Sequence, residues 1–193
     1  MNADGSNPVL VTEATWGILH PTWSPDGRRL AFEAVDYPSG SYIDVVNADG
    51  SGRSRVTTTG SESEPAWSPD GSTIAFRGVR DGFSVIYRVN ADGTDLTLLT
   101  DTPITHNFNP AWSPDGRKIA FTRGYGGYDI HVMNPDGSGL TRLAEGGGSE
   151  PTWSPDGRWI LFVGGTALRA ARPDGTDVRD FMVEGATNPA WRW

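Results

Sequence analysis

The sequence predicts an all-β fold, a β-propeller of four-stranded antiparallel blades, with four complete blades and an incomplete fifth formed from the two termini. Three observations carry this. The segment Pro-x-Trp-Ser-Pro-Asp-Gly occurs at Pro21, Pro65, Pro110 and Pro151, and a fifth copy begins at Pro189 and runs to Trp193. Its tryptophans, Trp23, Trp67, Trp112, Trp153 and Trp191, recur at intervals of 44, 45, 41 and 38 residues, the length of one blade. A second turn recurs out of phase with the first, as Asn-x-Asp-Gly at Asn47, Asn90 and Asn134, with Asn2 before them and a weaker copy at Arg172.

Both turns are explained by their chemistry. In Ser-Pro-Asp-Gly the serine takes the first position of a type I turn, proline presets φ at the second, aspartate tolerates the third, and glycine supplies the left-handed residue that lets the next strand return. Asp-Gly turns also occur in calcium loops, but none here continues to a glutamate at the twelfth position of an EF-hand. The expectation is therefore plain hairpin turns.

Taken in order, residues 7–12 read as the outermost strand of a blade whose earlier strands are absent, and four full units follow, at about 21–62, 63–106, 107–148 and 149–186. Each unit has an inner strand carrying the tryptophan. A wholly apolar second strand follows the turn, as in Leu30-Ala31-Phe32, Ile74-Ala75-Phe76, Ile119-Ala120-Phe121 and Ile160-Leu161-Phe162, which suits burial on both faces between neighbouring blades. The third strands alternate more, as in Val85-Ile86-Tyr87-Arg88-Val89, and the fourth unit is weakest there, at Ala167 to Ala171. Short outer strands close the units at Arg55 to Thr57, Leu96 to Leu99, Leu140 to Leu143 and Val178 to Val183. Residues 188–193 offer one further inner strand. If the chain is complete, the two orphan strands leave an unpaired edge and an uncovered apolar face, and self-association as a homo-oligomer is the expectation.

Bulk properties narrow the function. Twenty-four acidic residues against 16 basic ones give a formal charge of −8, so a phosphate backbone meets net repulsion and nucleic acid is not an expected partner. There are no cysteines, hence neither disulfides nor thiolate metal sites. No run of about 18 apolar residues suggests membrane insertion. Residues 1–5 have neither a basic stretch nor an apolar run, so no signal peptide is expected in them.

Pro-x-Trp-Ser-Pro-Asp-Gly, the Ile-Ala-Phe strand after it, and Asn-x-Asp-Gly about 20 residues further on together resemble the TolB-type β-propeller repeat, a relative of the WD repeat. The resemblance covers nearly the whole chain. It implies four-stranded blades around a central channel, six of them in TolB itself, and a periplasmic or extracellular setting. It also implies a repertoire of protein-interaction scaffolds, propellers that gate serine peptidases, and a few carbohydrate-active enzymes, among which fold alone does not choose.

In an up-and-down blade all the Asp-Gly turns fall on one face, and the connections on the other face vary in length and composition, which is where binding is expected. Those loops carry Tyr37, Tyr42, Phe83, Tyr125 and Tyr128, rings that suit recognition of a peptide or a sugar. The residue before each repeat proline, namely His20, Glu64, Asn109, Glu150 and Asn188, is expected at the channel mouth, forming with His106 a polar ring able to hold a cation or a polar ligand. Glu64 and Glu150 are the candidates for paired catalytic carboxylates. No Gly-x-Ser-x-Gly elbow, zinc-protease motif or phosphate-binding loop occurs. The leading expectation is a non-catalytic scaffold for a protein or peptide with no cofactor. The alternatives are a carbohydrate-active or metal-dependent enzyme and a purely structural or engineered repeat module. The five tryptophans are expected to be structural wedges between blades.

Overall fold

The computed structural model of the chain describes residues 10–14, 16–101, 104–143, 147–181 and 189, and the described residues form strands and turns without a helix. Among the described residues sixteen strands make four antiparallel sheets. The first holds β1 (Gly17–Trp23), β2 (Arg29–Asp36), β3 (Gly40–Asn47) and β4 (Ser54–Arg55), and the second β5 (Ser63–Trp67), β6 (Thr73–Arg80), β7 (Phe83–Asn90) and β8 (Thr97–Leu98). The third holds β9 (His106–Trp112), β10 (Ile119–Gly124), β11 (Tyr128–Met133) and β12 (Thr141–Arg142), and the fourth β13 (Ser149–Trp153), β14 (Ile160–Gly164), β15 (Ala167–Ala171) and β16 (Arg179–Phe181). Each sheet is a meander in chain order, and the inner strands β1, β5, β9 and β13 stand side by side. The first inner strand begins at Gly17, ahead of the expected 21, because residues 17–19 pair with the end of β2.

The turn chemistry is the same in every blade. Ser24, Ser68, Ser113 and Ser154 each donate from Oγ to the aspartate two residues on (2.5–2.6 Å) and accept the backbone N–H five residues on (2.9–3.0 Å). The following glycines lie at φ 66–71°, where a Cβ would be strained. The serine hydroxyl holds each of Asp26, Asp70, Asp115 and Asp156 below the usual carboxylate range, with a backbone N–H adding to it. Asp49, Asp92, Asp136 and Asp174 in the second turn are lowered in the same way by Ser51, Thr94, Ser138 and Thr176.

The blades adhere through the second strands. Ala31, Ile43, Val45 and Val56 of the first pack on Trp67, Ile74, Phe76 and Val89 of the second. Ala75, Ile86 and Leu99 then meet Ile119, Phe121 and Met133, and Ala120, Ile130 and Leu143 meet Trp153, Ile160 and Phe162. Phe32, Phe76, Phe121 and Phe162 are at most 1% exposed, which explains why this strand is apolar on both faces.

The tryptophans divide. Trp67 and Trp153 are buried and donate from Nε1 to the preceding blade, to Thr22 O (3.3 Å) and Ala111 O (3.0 Å). Arg29 covers the Trp67 ring at 4.8 Å. Trp112, half-buried, packs against the second blade. Trp23 departs from the expected wedge and is 54% exposed. Each of these rings packs on the blade before its own, and among the described residues no complete blade precedes β1. Trp191 lies outside the described residues.

Of the expected outer strand 7–12, residues 10–12 are described and are not paired as a strand. Val11 nevertheless packs with Ile18, Phe32 and Val46. A Cβ built on Gly50 would sit 2.6 Å from Val11 O, as one on Gly137 would from Leu99 O and one on Gly175 from Leu143 O. Val11 thus occupies the place that outer-strand residues of each blade take against the next. The outer strands proper are shorter than expected, two residues in three blades, and the buried Val56, Leu99 and Leu143 follow them directly. Residues 182–183 of the last one, and the expected inner strand 188–193 apart from Pro189, lie outside the described residues.

The channel mouth and loop face as the candidate functional site

Four of the residues expected at the channel mouth come together. His20, Glu64, Asn109 and Glu150, each followed by its proline, line one shallow cavity of about 290 Å³ on the axis. All four have left-handed backbones, at φ 48°, 55°, 50° and 56°. In every blade this residue interrupts the pairing of the first and second strands, between Leu19 and Thr22, Ser63 and Ala66, Phe108 and Ala111, and Ser149 and Thr152. The distortion is a bulge, which turns the side chain out of the pleat and into the mouth. Sequence reasoning placed these side chains but not the bulge. A non-glycine residue at positive φ ahead of proline is uncommon and is not visible in composition. Asn188 lies outside the described residues.

The ring is knitted from blade to blade. Glu64 Oε2 accepts the Asn109 N–H at 2.5 Å, and Glu64 Oε1 lies 3.8 Å from Arg77 Nη1. The Glu150 N–H donates to Thr122 Oγ1 (3.1 Å), whose hydroxyl donates to Asn109 Oδ1 (3.4 Å). Among the described residues no group of three His, Asp or Glu side chains stands together to hold a metal ion.

His106 is not in this ring. It opens β9 three residues before Asn109, roughly 10 Å along an extended strand. There its Nδ1 accepts the Ser84 N–H (3.1 Å), and its ring lies 5.4 Å from Phe83, 5.8 Å from Phe108 and 6.2 Å from Tyr125. Tyr128 meets Phe108 edge-on at 5.6 Å. The result is an aromatic cluster across the second and third blades on the loop face, and Phe108 is the member that sequence reasoning missed. Tyr125 is 75% and Tyr128 42% exposed. Tyr42, expected as an exposed loop ring, is buried: its hydroxyl donates to Ser39 O (2.8 Å) and Arg55 covers its face at 3.8 Å. It lies inside β3 and not in the loop, so it packs. Tyr37 is exposed beside Trp16, ring centres 5.7 Å apart. His131 lies in β11 against Phe121, and burial holds its pKa below the ordinary value.

Glu62 was also missed. It is 1% exposed, and its carboxylate accepts the backbone N–H groups of Thr59 (2.8 Å), Gly60 (3.0 Å) and Ser61 (3.2 Å) and the Thr59 hydroxyl. Its own N–H donates to Ser41 O (3.1 Å), and Ser41 donates its N–H to Gly60 O (3.2 Å) and its hydroxyl to Glu62 O (2.9 Å). One buried carboxylate thereby fixes the connection from the first blade to the second. This connection walls a larger cavity of about 520 Å³, which contains His20, Glu33, Tyr37, Ser63 and Arg77.

The profile of a known family, the TolB beta propeller domain, matches residues 1–167. The chain belongs to that family. The Tol-Pal system protein TolB of Bordetella avium is 44% identical over 96 residues, 48% of this chain and 21% of that protein. TolB of Thioalkalivibrio sulfidiphilus is 42% identical over 57 residues, 30% of this chain and 13% of its relative. Among solved structures, a putative TolB from Agrobacterium tumefaciens superposes with a TM-score of 0.76 at 27% identity, over 83% of this chain and 63% of that one. The matches therefore span less than two thirds of each relative. They bear on the TolB-type propeller and its blades, not on the remainder of those proteins.

Proposed function

We propose that this TolB-type propeller is a non-catalytic scaffold that binds a protein or peptide through its loop face and channel mouth. The observation that carries the reading is the cluster of Phe83, His106, Phe108, Tyr125 and Tyr128, aromatic rings in mutual contact with two of them well exposed. Rings of this kind offer large contact area at small entropic cost, and binding hot spots are enriched in them. Arg77 lies over Phe108 at 5.1 Å and holds Ser84 Oγ (3.0 Å), so the patch is anchored to the second blade before any partner arrives. Glu64, one of the two carboxylates that an enzyme would use, is engaged by Asn109 and Arg77, which supports a positioning role.

The names of its relatives place them in the Tol-Pal system, and a protein partner of that kind in a periplasmic or extracellular setting is part of the proposal. The test is amide exchange of the protein with a binder selected from a displayed peptide library. Protection is expected in residues 80–84, 104–108 and 123–128. Protection confined to the Ser-Pro-Asp-Gly turns would overturn the reading.

A further inference from the structure

The cavity between the first two blades holds two opposite charges that are not paired with each other. Glu33, in β2, is 8% exposed, and its one hydrogen-bond partner among the described residues is His20 Nδ1, 2.9 Å from Oε2. Arg77 sits at the corresponding place in β6. Its Nε donates to Ser84 Oγ and its Nη1 to Ser63 Oγ (3.3 Å) and toward Glu64, which leaves Nη2 uncommitted. Among the described residues the cavity thus presents a carboxylate oxygen and a guanidinium nitrogen that are both unengaged, and Leu19, Val35, Val79 and Tyr37 also line it. Both charges are held in place, Arg77 by two serines and a ring, Glu33 by its neighbour in β1. A buried carboxylate of this kind favours a cation that satisfies its remaining lone pairs, and a guanidinium favours a carboxylate.

We propose that this cavity is a binding site for a small zwitterion of the amino acid or dipeptide class, its ammonium on Glu33, its carboxylate on Arg77 and its side chains against the valines. The site adjoins the aromatic cluster, since Arg77 also lies over Phe108, but its ligand contacts are the charges of Glu33 and Arg77 and it does not depend on the partner-binding reading.

The experiment is calorimetric titration of the intact chain with alanyl-leucine, N-acetyl-alanyl-leucine and alanyl-leucine amide. Saturable binding of the free dipeptide is expected, weakened about tenfold or more by acetylation or by amidation, since each removes one charge-assisted contact. Glu33→Gln should abolish the penalty of acetylation alone and Arg77→Gln that of amidation alone. No saturable binding by the wild-type chain, or equal affinity for the three compounds, would overturn the proposal. The comparison of compounds on the wild-type chain decides the matter even if Arg77→Gln loosens the fold.

Discussion

Removing the indole of Trp67 should cost the fold far more than removing that of Trp23, although the two occupy the same repeat position. Trp67 is 7% exposed, packs among Ile43, Val45 and Val56 of the first blade, donates to Thr22 O and carries Arg29 on its face. A buried tryptophan removes about 150–250 Å² from water. At about 25 cal/mol per Å² this is roughly 4–6 kcal/mol, less what the cavity recovers by collapsing. The expected cost of Trp67→Ala is therefore about 3–5 kcal/mol. Trp23 is 54% exposed, and Trp23→Ala should cost about 1 kcal/mol or less. Urea unfolding followed by far-ultraviolet circular dichroism measures both, compared at midpoints with the slope checked for constancy. Equal costs for the two variants, or a Trp67→Ala cost under about 1 kcal/mol, would refute the claim that each indole is fixed by the blade before its own.

Two further outcomes follow from the same contacts. Glu62→Ala leaves the N–H groups of Thr59, Gly60 and Ser61 without their acceptor and should cost about 2–4 kcal/mol, with Glu62→Gln losing less; a chemical denaturation series checks both. The turn aspartates, Asp70 and Asp115 among them, are depressed by their serine hydroxyls, so the folded chain binds fewer protons than the unfolded chain around pH ~4. Their contribution is complete above the ordinary aspartate value and should fall as pH drops through the lower native values. Asp115→Asn should flatten that slope in melts taken from pH 7 down to pH 2.

How much of this was legible in the letters depends on how local the physics is. Ser-Pro-Asp-Gly determines its own hydrogen bonds within six residues, so the turns, their faces and the meander order could be read off, as could the double burial of Phe76 and Phe121. The exposure of Trp23 could not, because it depends on which blade stands beside it and not on its own motif. The channel mouth was half legible. His20, Glu64, Asn109 and Glu150 share a position before proline, and that spacing brought them together. His106 was misplaced because three extended residues carry it away from the axis to the loop end of β9. Tyr42 was misjudged as loop because the hairpin from β2 to β3 is tighter than its glycine and proline content suggested. Glu62 gave no charge partner to find in the sequence: apart from the hydroxyl of Thr59, its partners are backbone N–H groups, which every residue carries.

The claim on which the functional account rests is that the aromatic cluster, and not the turn face, receives the partner. The most direct measurement is the affinity of one selected peptide for the wild-type chain, for Phe83→Ala and Tyr125→Ala, and for Arg117→Ala on an exposed Ser-Pro-Asp-Gly turn. Losses of about tenfold or more are expected for the two aromatic variants, with Arg117→Ala unchanged. Unaltered affinity in both aromatic variants, with binding lost in Arg117→Ala, would contradict it.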